Sequence, residues 1–114
     1  MIILLVEDDE AIRVSTGELL RDMGHTVIEA EDAESAMIAI RRRHIDLLFT
    51  DVSLPGMAGD VFAAEASAGR PRLRIVFATG VAEISSGDAT SGPVLLRKPY
   101  TVADIESALQ ASMR

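Results

Sequence analysis

The chain has 114 residues, 48% of them hydrophobic and 25% charged, with 11 basic against 18 acidic side chains, a net charge of −7 and no cysteine. That length fits one domain with one ordinary core, and the lack of cysteine excludes a disulfide framework or a zinc finger. The acidic balance argues against a surface that binds nucleic acid by neutralising phosphates, because that takes clustered Lys and Arg.

The first apolar run, Ile2–Val6, follows Met1 directly with no basic segment ahead of it. It falls far short of the roughly 20 residues of a membrane span, so a soluble, cytoplasmic protein without membrane insertion is expected. Glu10–Met23 reads as a helix, with Ile12, Leu19, Leu20 and Met23 along one side, Asp8 or Asp9 as N-cap and Gly24 as a left-handed C-terminal residue. His25–Ala30 is a mixed segment that suits an edge strand. Asp32 can cap a second helix whose stripe is Ala33, Ala36, Met37 and Ile40, closed by Arg41–Arg43 where the helix dipole favours cations.

Asp46–Thr50, with Leu47-Leu48-Phe49 at its centre, is the second short apolar run and reads as a strand, and Pro55-Gly56 reads as a tight turn leading to a third helix over Asp60–Ala68, stopped by Gly69 and Pro71. Further strands are expected at Leu73–Ala78 and Pro93–Leu96. Between them, Val81–Gly92 carries Ser85-Ser86-Gly87-Asp88 and Thr90-Ser91-Gly92, so any helix there is short or irregular. The last helix, Val102 to Met113, opens on a capping-box pattern, Thr101 to Asp104, with Val102, Ile105 and Leu109 on one face. Strand and helix alternate throughout, which implies right-handed βαβ units and a parallel sheet with helices on both faces.

In such a sheet, ligands bind beyond the carboxyl ends of the strands, where the strand order reverses. The residues following the strands are therefore the candidates: Glu7-Asp8-Asp9, Asp51, Thr79-Gly80 and Arg97-Lys98-Pro99. Taken singly, Asp8 and Asp9 read equally as helix caps, Asp51 as the start of a turn and Thr79 as a β-branched strand end. Together they bring several carboxylates, a hydroxyl and an ammonium to one end of the sheet. Carboxylates packed this closely repel unless a cation shares the site, and a hard divalent ion such as Mg²⁺ takes oxygen ligands of this kind, with the Ser53 carbonyl available from the turn. Ten of the 11 basic residues are Arg; the single lysine, Lys98, is a point cation suited to a transferred phosphate.

These residues resemble the receiver domain of two-component response regulators along the whole chain. The matching motifs are Ile3-Leu4-Leu5-Val6-Glu7-Asp8-Asp9-Glu10, Thr50-Asp51-Val52-Ser53-Leu54-Pro55-Gly56-Met57, Phe77-Ala78-Thr79-Gly80 and Leu96-Arg97-Lys98-Pro99-Tyr100. The resemblance implies a single receiver domain over residues 1–114. Its fold would be flavodoxin-like, a doubly wound five-stranded parallel sheet of order 2-1-3-4-5. Asp51 then matches the phosphoacceptor, and Asp8, Asp51 and the Ser53 main-chain carbonyl match the ligands of Mg²⁺ or Mn²⁺. Glu7 would act through water, Thr79 would hold the phosphoryl group and Lys98 would pair with it. The implied partners are a sensor histidine kinase or histidine phosphotransfer protein and an output protein whose identity the residues leave open; the domain is a phosphoaccepting signalling module rather than an enzyme acting on a separate substrate.

Two departures stand out. Leu95 occupies the position, three residues before the lysine, where many receivers carry Tyr or Phe, and Tyr100 lies beyond the lysine. The Gly/Ser-rich Val81–Gly92 replaces the usual regular fourth helix. The ending Arg97-Lys98-Pro99-Tyr100-Thr101 looks most like receivers that stand alone or end hybrid sensor kinases. A degenerate receiver acting as a phosphorylation-independent interaction module would lack the acceptor, a metal carboxylate or the lysine, and none is missing. A dehalogenase-type phosphatase would need Asp-x-Asp after the first strand, and a flavin or dinucleotide binder would need a Gly- or Ser/Thr-rich phosphate loop there.

Overall fold

A computed structural model describes residues 1–54, 56–79 and 94–113. Pro55, Gly80 and the Val81–Gly92 segment, with its expected irregular helix, lie outside the described residues. The elements run β1 (Ile2–Val6), α1 (Glu10–Asp22), β2 (Thr26–Ala30), α2 (Ala33–Arg42), β3 (Leu47–Asp51), β4 (Ser53–Leu54), β5 (Met57–Ala58), α3 (Gly59–Ser67), β6 (Arg74–Thr79), β7 (Val94–Arg97) and α4 (Val102–Ser112). Five strands form one parallel sheet in the order β2-β1-β3-β6-β7. This is the expected 2-1-3-4-5 order, with β6 and β7 as fourth and fifth. The short antiparallel hairpin β4-β5 is an addition: it pairs Ser53 with Ala58 and Leu54 with Met57, and Gly56 turns it at φ +79°, a conformation that favours glycine.

The strand pleat divides the core into two halves. Leu4, Val6, Leu48 and Phe77 face the side covered by α2 and α3, where Ala36, Ile40 and Phe62 pack on them. Ile3, Leu5, Leu47, Phe49 and Val76 face the other side, under Leu20 of α1 and Ile105 and Leu109 of α4. Both faces of the central strands are covered, which is why their sequences are apolar without alternation.

The caps follow the residues that signal them. Asp9, rather than Asp8, caps α1 by accepting from the Ile12 N–H at 3.0 Å. Asp32 caps α2 through the Ser35 N–H at 2.8 Å, and Thr101 and Asp104 close a reciprocal capping box on α4. Gly24 (φ +97°) and Gly69 (φ +76°) take the left-handed conformation after α1 and α3.

Two side-chain placements differ from the sequence reading. Ile12 is 37% exposed, and the face of α1 turned to the sheet is Thr16, Gly17 and Leu20, with Arg13 half-buried beside them. Val102 is likewise exposed at 42%, while Ile105, Ala108 and Leu109 make the contact of α4. In both helices the first residue of the expected apolar stripe lies at the N-terminal turn, beyond the part that reaches the core.

Candidate functional site

The strand order reverses between β1 and β3, and the residues at their carboxyl ends build the site. The Glu7 N–H donates to the Ala30 carbonyl at 3.0 Å, continuing the β1-β2 ladder one residue past the strand. That bond brings the Glu7 side chain inward, so it is only 4% exposed while Asp8 next to it faces solvent. Asp51 ends β3, and the Val52 N–H donates to the Ala78 carbonyl at 3.0 Å, holding the exit of the strand against β6.

One carboxylate oxygen from each of Glu7, Asp8 and Asp51 lies within 4.8 Å of the others. Lys98, on the loop after β7, points its Nζ between two of them, 2.7 Å from Glu7 Oε1 and 3.0 Å from Asp51 Oδ2. The second oxygens of Glu7 and Asp51 are also engaged: the Asp9 N–H donates to Glu7 Oε2 at 3.2 Å and the Ser53 N–H to Asp51 Oδ1 at 3.3 Å.

Burial pushes the Glu7 carboxyl above its usual value, and the neighbouring charge of Asp51 pushes the same way, outweighing the hydrogen bonds from Lys98 and the Asp9 N–H. Burial works against the charge on Lys98, but its hydrogen bonds to Glu7 and Asp51 and their charges win, so its pKa is raised and it stays cationic. Three carboxylates against one ammonium leave a negative excess. The donor set therefore fits a hard divalent cation: carboxylate oxygens in reach of one ion, with a solvent-facing Asp8 that leaves room for water.

Ser53 lies beside the site in β4, exposed, with its N–H on Asp51. The backbone of Thr79 ends β6 in register with Arg97, at the same carboxyl end of the sheet as Asp51; its side chain lies outside what is described. Leu95 is 49% exposed on β7.

Two features were not anticipated from the sequence, and a third, the isomer of the Lys98-Pro99 peptide, was left open by it. Arg13 Nη1 donates to the Glu7 carbonyl at 2.9 Å, fixing the peptide between the two acidic residues, and its Nε lies 3.5 Å from Glu29. Tyr100 is half-buried: its hydroxyl hydrogen-bonds Thr16 Oγ1 at 2.7 Å and its ring meets Phe49 edge-on, with centroids 5.9 Å apart. The Lys98-Pro99 peptide is cis. The spacing Arg13, Thr16, Gly17, Leu20 carries the signal for the first two, because three polar or small residues at helical spacing alongside a leucine mark an inner face with hydrogen-bonding work.

A profile of the response regulator receiver domain matches residues 3–110. The chain belongs to the response regulator receiver domain family. It is similar to the response regulator receiver protein CpdR of Brucella abortus (strain 2308), 31% identical over 111 residues that cover 95% of this chain and 92% of that protein. The sensor kinase CckA of the same organism is 28% identical over 115 residues, covering 95% of this chain but 12% of that protein. Among solved structures, the receiver domain from the hybrid histidine kinase CckA superposes with a TM-score of 0.84 at 29% identity, each chain covered in full (100%). A receiver domain protein from Clostridium thermocellum gives a TM-score of 0.88 over 98% of this chain and 93% of that one, at 23% identity a likeness of fold. The receiver domain thus has the flavodoxin-like fold of these relatives, and among the described residues no helix is long and apolar enough to cross a membrane.

Proposed function

We propose that residues 1–114 form a single receiver domain that acts as the phosphoacceptor of a cytoplasmic two-component phosphorelay, with Asp51 as the acceptor. The observation that carries this reading is the position of Asp51: it ends β3 at the reversal of strand order, with one oxygen 3.0 Å from Lys98 and within 4.8 Å of the Glu7 and Asp8 carboxylates. A carboxylate next to both a fixed ammonium and a cation site is a nucleophile held where phosphoryl charge can be neutralised.

In the reaction, an Asp51 carboxylate oxygen forms a bond to phosphorus as the phosphorus–nitrogen bond of a phosphohistidine breaks. The histidine nitrogen leaves with the bonding pair and takes up a proton. Lys98 keeps its charge and stands against the phosphoryl oxygens. Thr79, at the end of β6, supplies a hydroxyl to the same group. Asp8, Asp51 and the Ser53 carbonyl would hold Mg²⁺ or Mn²⁺, with Glu7 acting through water, and the ion would supply electrostatic stabilisation of the transferring group. The phosphoryl donor is a sensor histidine kinase or histidine phosphotransfer protein. The resulting acyl phosphate switches an interaction with an output partner.

Leu95 separates this domain from receivers that swing an aromatic ring inward at that position. A phosphorylation-independent interaction module is the alternative, and it predicts an inert Asp51. Intact-mass measurement after incubation with Mg²⁺ and a small phosphodonor distinguishes the two. One phosphoryl group on the wild type, abolished by EDTA and by Asp51→Asn, is expected; an unlabelled wild type, or full labelling of Asp51→Asn, overturns the proposal.

A further inference from the structure

The pole of the sheet opposite the carboxylates has the contrary charge. Six of the ten arginines fall within residues 41–43 and 70–74, in a chain whose net charge is −7. They meet where α2 ends, where the loop after α3 runs into β6, and where β7 begins. Around them lies a groove of about 970 Å³ whose basic wall is Arg43, Arg70, Arg72 and Arg74. Leu73, Ile75, Val94 and the exposed Met113 give it an apolar floor.

Helix-dipole pairing accounts for Arg43, and Arg70 is spent on the end of α3, donating to the Ala66 and Ala68 carbonyls at 3.0 and 3.4 Å. Neither explanation reaches Arg72 and Arg74. Arg74 opens β6, pairs in register with Leu47 of β3 and is half-buried, a position where an interior strand of a parallel sheet is ordinarily apolar. Among the described residues, Arg43, Arg72 and Arg74 have no carboxylate partner. The acid that lines the groove, Asp46, is already held by the Ile2 N–H at 2.7 Å and by His44 Nε2 at 2.8 Å. Three guanidinium groups that line one groove with no carboxylate partner among the described residues repel one another, and the half-buried Arg74 adds desolvation.

We propose that this groove binds an acidic segment of a partner protein, one whose carboxylates pair with Arg43, Arg72 and Arg74 while apolar side chains between them rest on Leu73 and Ile75. The guanidinium fork matches carboxylate geometry, and the apolar floor requires an occupant that also carries hydrocarbon. A polynucleotide fits less well, because three arginines release few counterions and the chain as a whole carries a net charge of −7. A mononucleotide fits less well because, among the described residues, no Phe, Tyr or Trp lines the groove and its one imidazole, His44, is held by Asp46. The site lies across the sheet from Asp51, so its occupation does not depend on the phosphoacceptor chemistry.

The test is nitrogen-15 NMR titration of the unphosphorylated protein with a soluble peptide of alternating Glu and Leu pairs, about a dozen residues long, enough to span the site as an extended segment. The expected result is saturable shifts confined to amides of residues 43–46, 70–75, 94–95 and 111–113. Affinity should fall about tenfold for each of Arg43→Glu and Arg72→Glu, both exposed positions, with unchanged thermal midpoints. The matching peptide with Lys in place of Glu should not shift these amides, and a Glu/Ser peptide should bind more weakly. Shifts of the same amides by a short single-stranded DNA or by ATP but not by the acidic peptide, concentration-dependent self-association through this face, or no saturable binding of the acidic peptide would each overturn the proposal.

Discussion

The Tyr100 hydroxyl lies 2.7 Å from Thr16 Oγ1, and this bond ties the loop that carries Lys98 to the buried face of α1. Thr16 is almost fully enclosed, and burial raises the Tyr100 phenol above its usual pKa although the bond to Thr16 opposes the shift, so the pair is a neutral, partly desolvated hydrogen bond. Phe49, two residues before Asp51 on β3, supports the Tyr100 ring from the side.

Removing one partner should therefore cost more than removing both. Thr16→Val leaves the Tyr100 hydroxyl without its bond and is expected to lower unfolding free energy by about 1–2 kcal/mol, with Tyr100→Phe costing about 1 kcal/mol. The double variant should recover part of the sum. A urea-unfolding double-mutant cycle reads the coupling, and strict additivity would mean the bond contributes nothing.

Asp51→Asn is expected to stabilise the metal-free protein by about 0.5–1 kcal/mol. The substitution removes one of three mutually repelling carboxylates while keeping an oxygen that can accept from Lys98. The gain should shrink or reverse when Mg²⁺ is added, because the wild type then benefits more from the ion. Urea midpoints with EDTA and with Mg²⁺ check both halves, and a less stable Asp51→Asn in EDTA would contradict the charge account.

Gly17 sits under Glu29: a Cβ there would fall 2.9 Å from Glu29 Oε2 and 3.2 Å from Arg21 Nη1. Both are far ends of flexible side chains, and the Arg21–Glu29 pair at 3.0 Å is partly exposed, so displacing it costs at most about 1 kcal/mol. Replacing a mid-helix glycine with alanine returns a similar amount, about 1 kcal/mol. Gly17→Ala is expected to be near neutral in thermal unfolding, whereas Gly17→Leu, too large for the side chains to yield to, should be destabilising by more than about 2 kcal/mol.

The acid limb of stability should carry a contribution from Asp46. The Ile2 N–H, and then His44, hold its carboxyl below the usual carboxylate value. A folded pKa below the unfolded one means stability that is present above the unfolded value, near pH 4, and is lost as pH falls through the depressed folded value. Asp46→Asn should flatten that part of the profile while leaving the slope above pH ~6 unchanged. Chemical denaturation across this range measures it, and identical acid limbs in the two proteins would contradict the assignment.

Strand order, caps and the acidic site were legible because each rests on local chemistry. Uninterrupted runs such as Ile2–Val6 mark strands covered on both faces, Asp32 and Thr101 carry their own capping bonds, and the residues after the strands must meet at one pole of a parallel sheet. What escaped depends on how far a helix reaches over the sheet. Ile12 and Val102 have the right period but stand at helix starts beyond the core, while Thr16 and Gly17, polar and small, take the inner face. The Arg13, Thr16, Gly17, Leu20 spacing marks an inner helix face, but it does not name the partners met there, the Glu7 carbonyl and the Tyr100 hydroxyl. The charge-separated poles were hidden inside the net charge of −7, which sums over both.

The most direct test of the phosphoacceptor role is to trap the acyl phosphate chemically. The protein is incubated with Mg²⁺ and a small phosphodonor and reduced with borohydride, which converts an aspartyl phosphate to homoserine, and the peptides are then mapped by mass spectrometry. The account expects homoserine at position 51, dependent on Mg²⁺ and absent from Lys98→Met or strongly reduced in it. Homoserine at Asp8 or Asp9 instead, or an unmodified Asp51 under conditions that label another receiver domain, would contradict it.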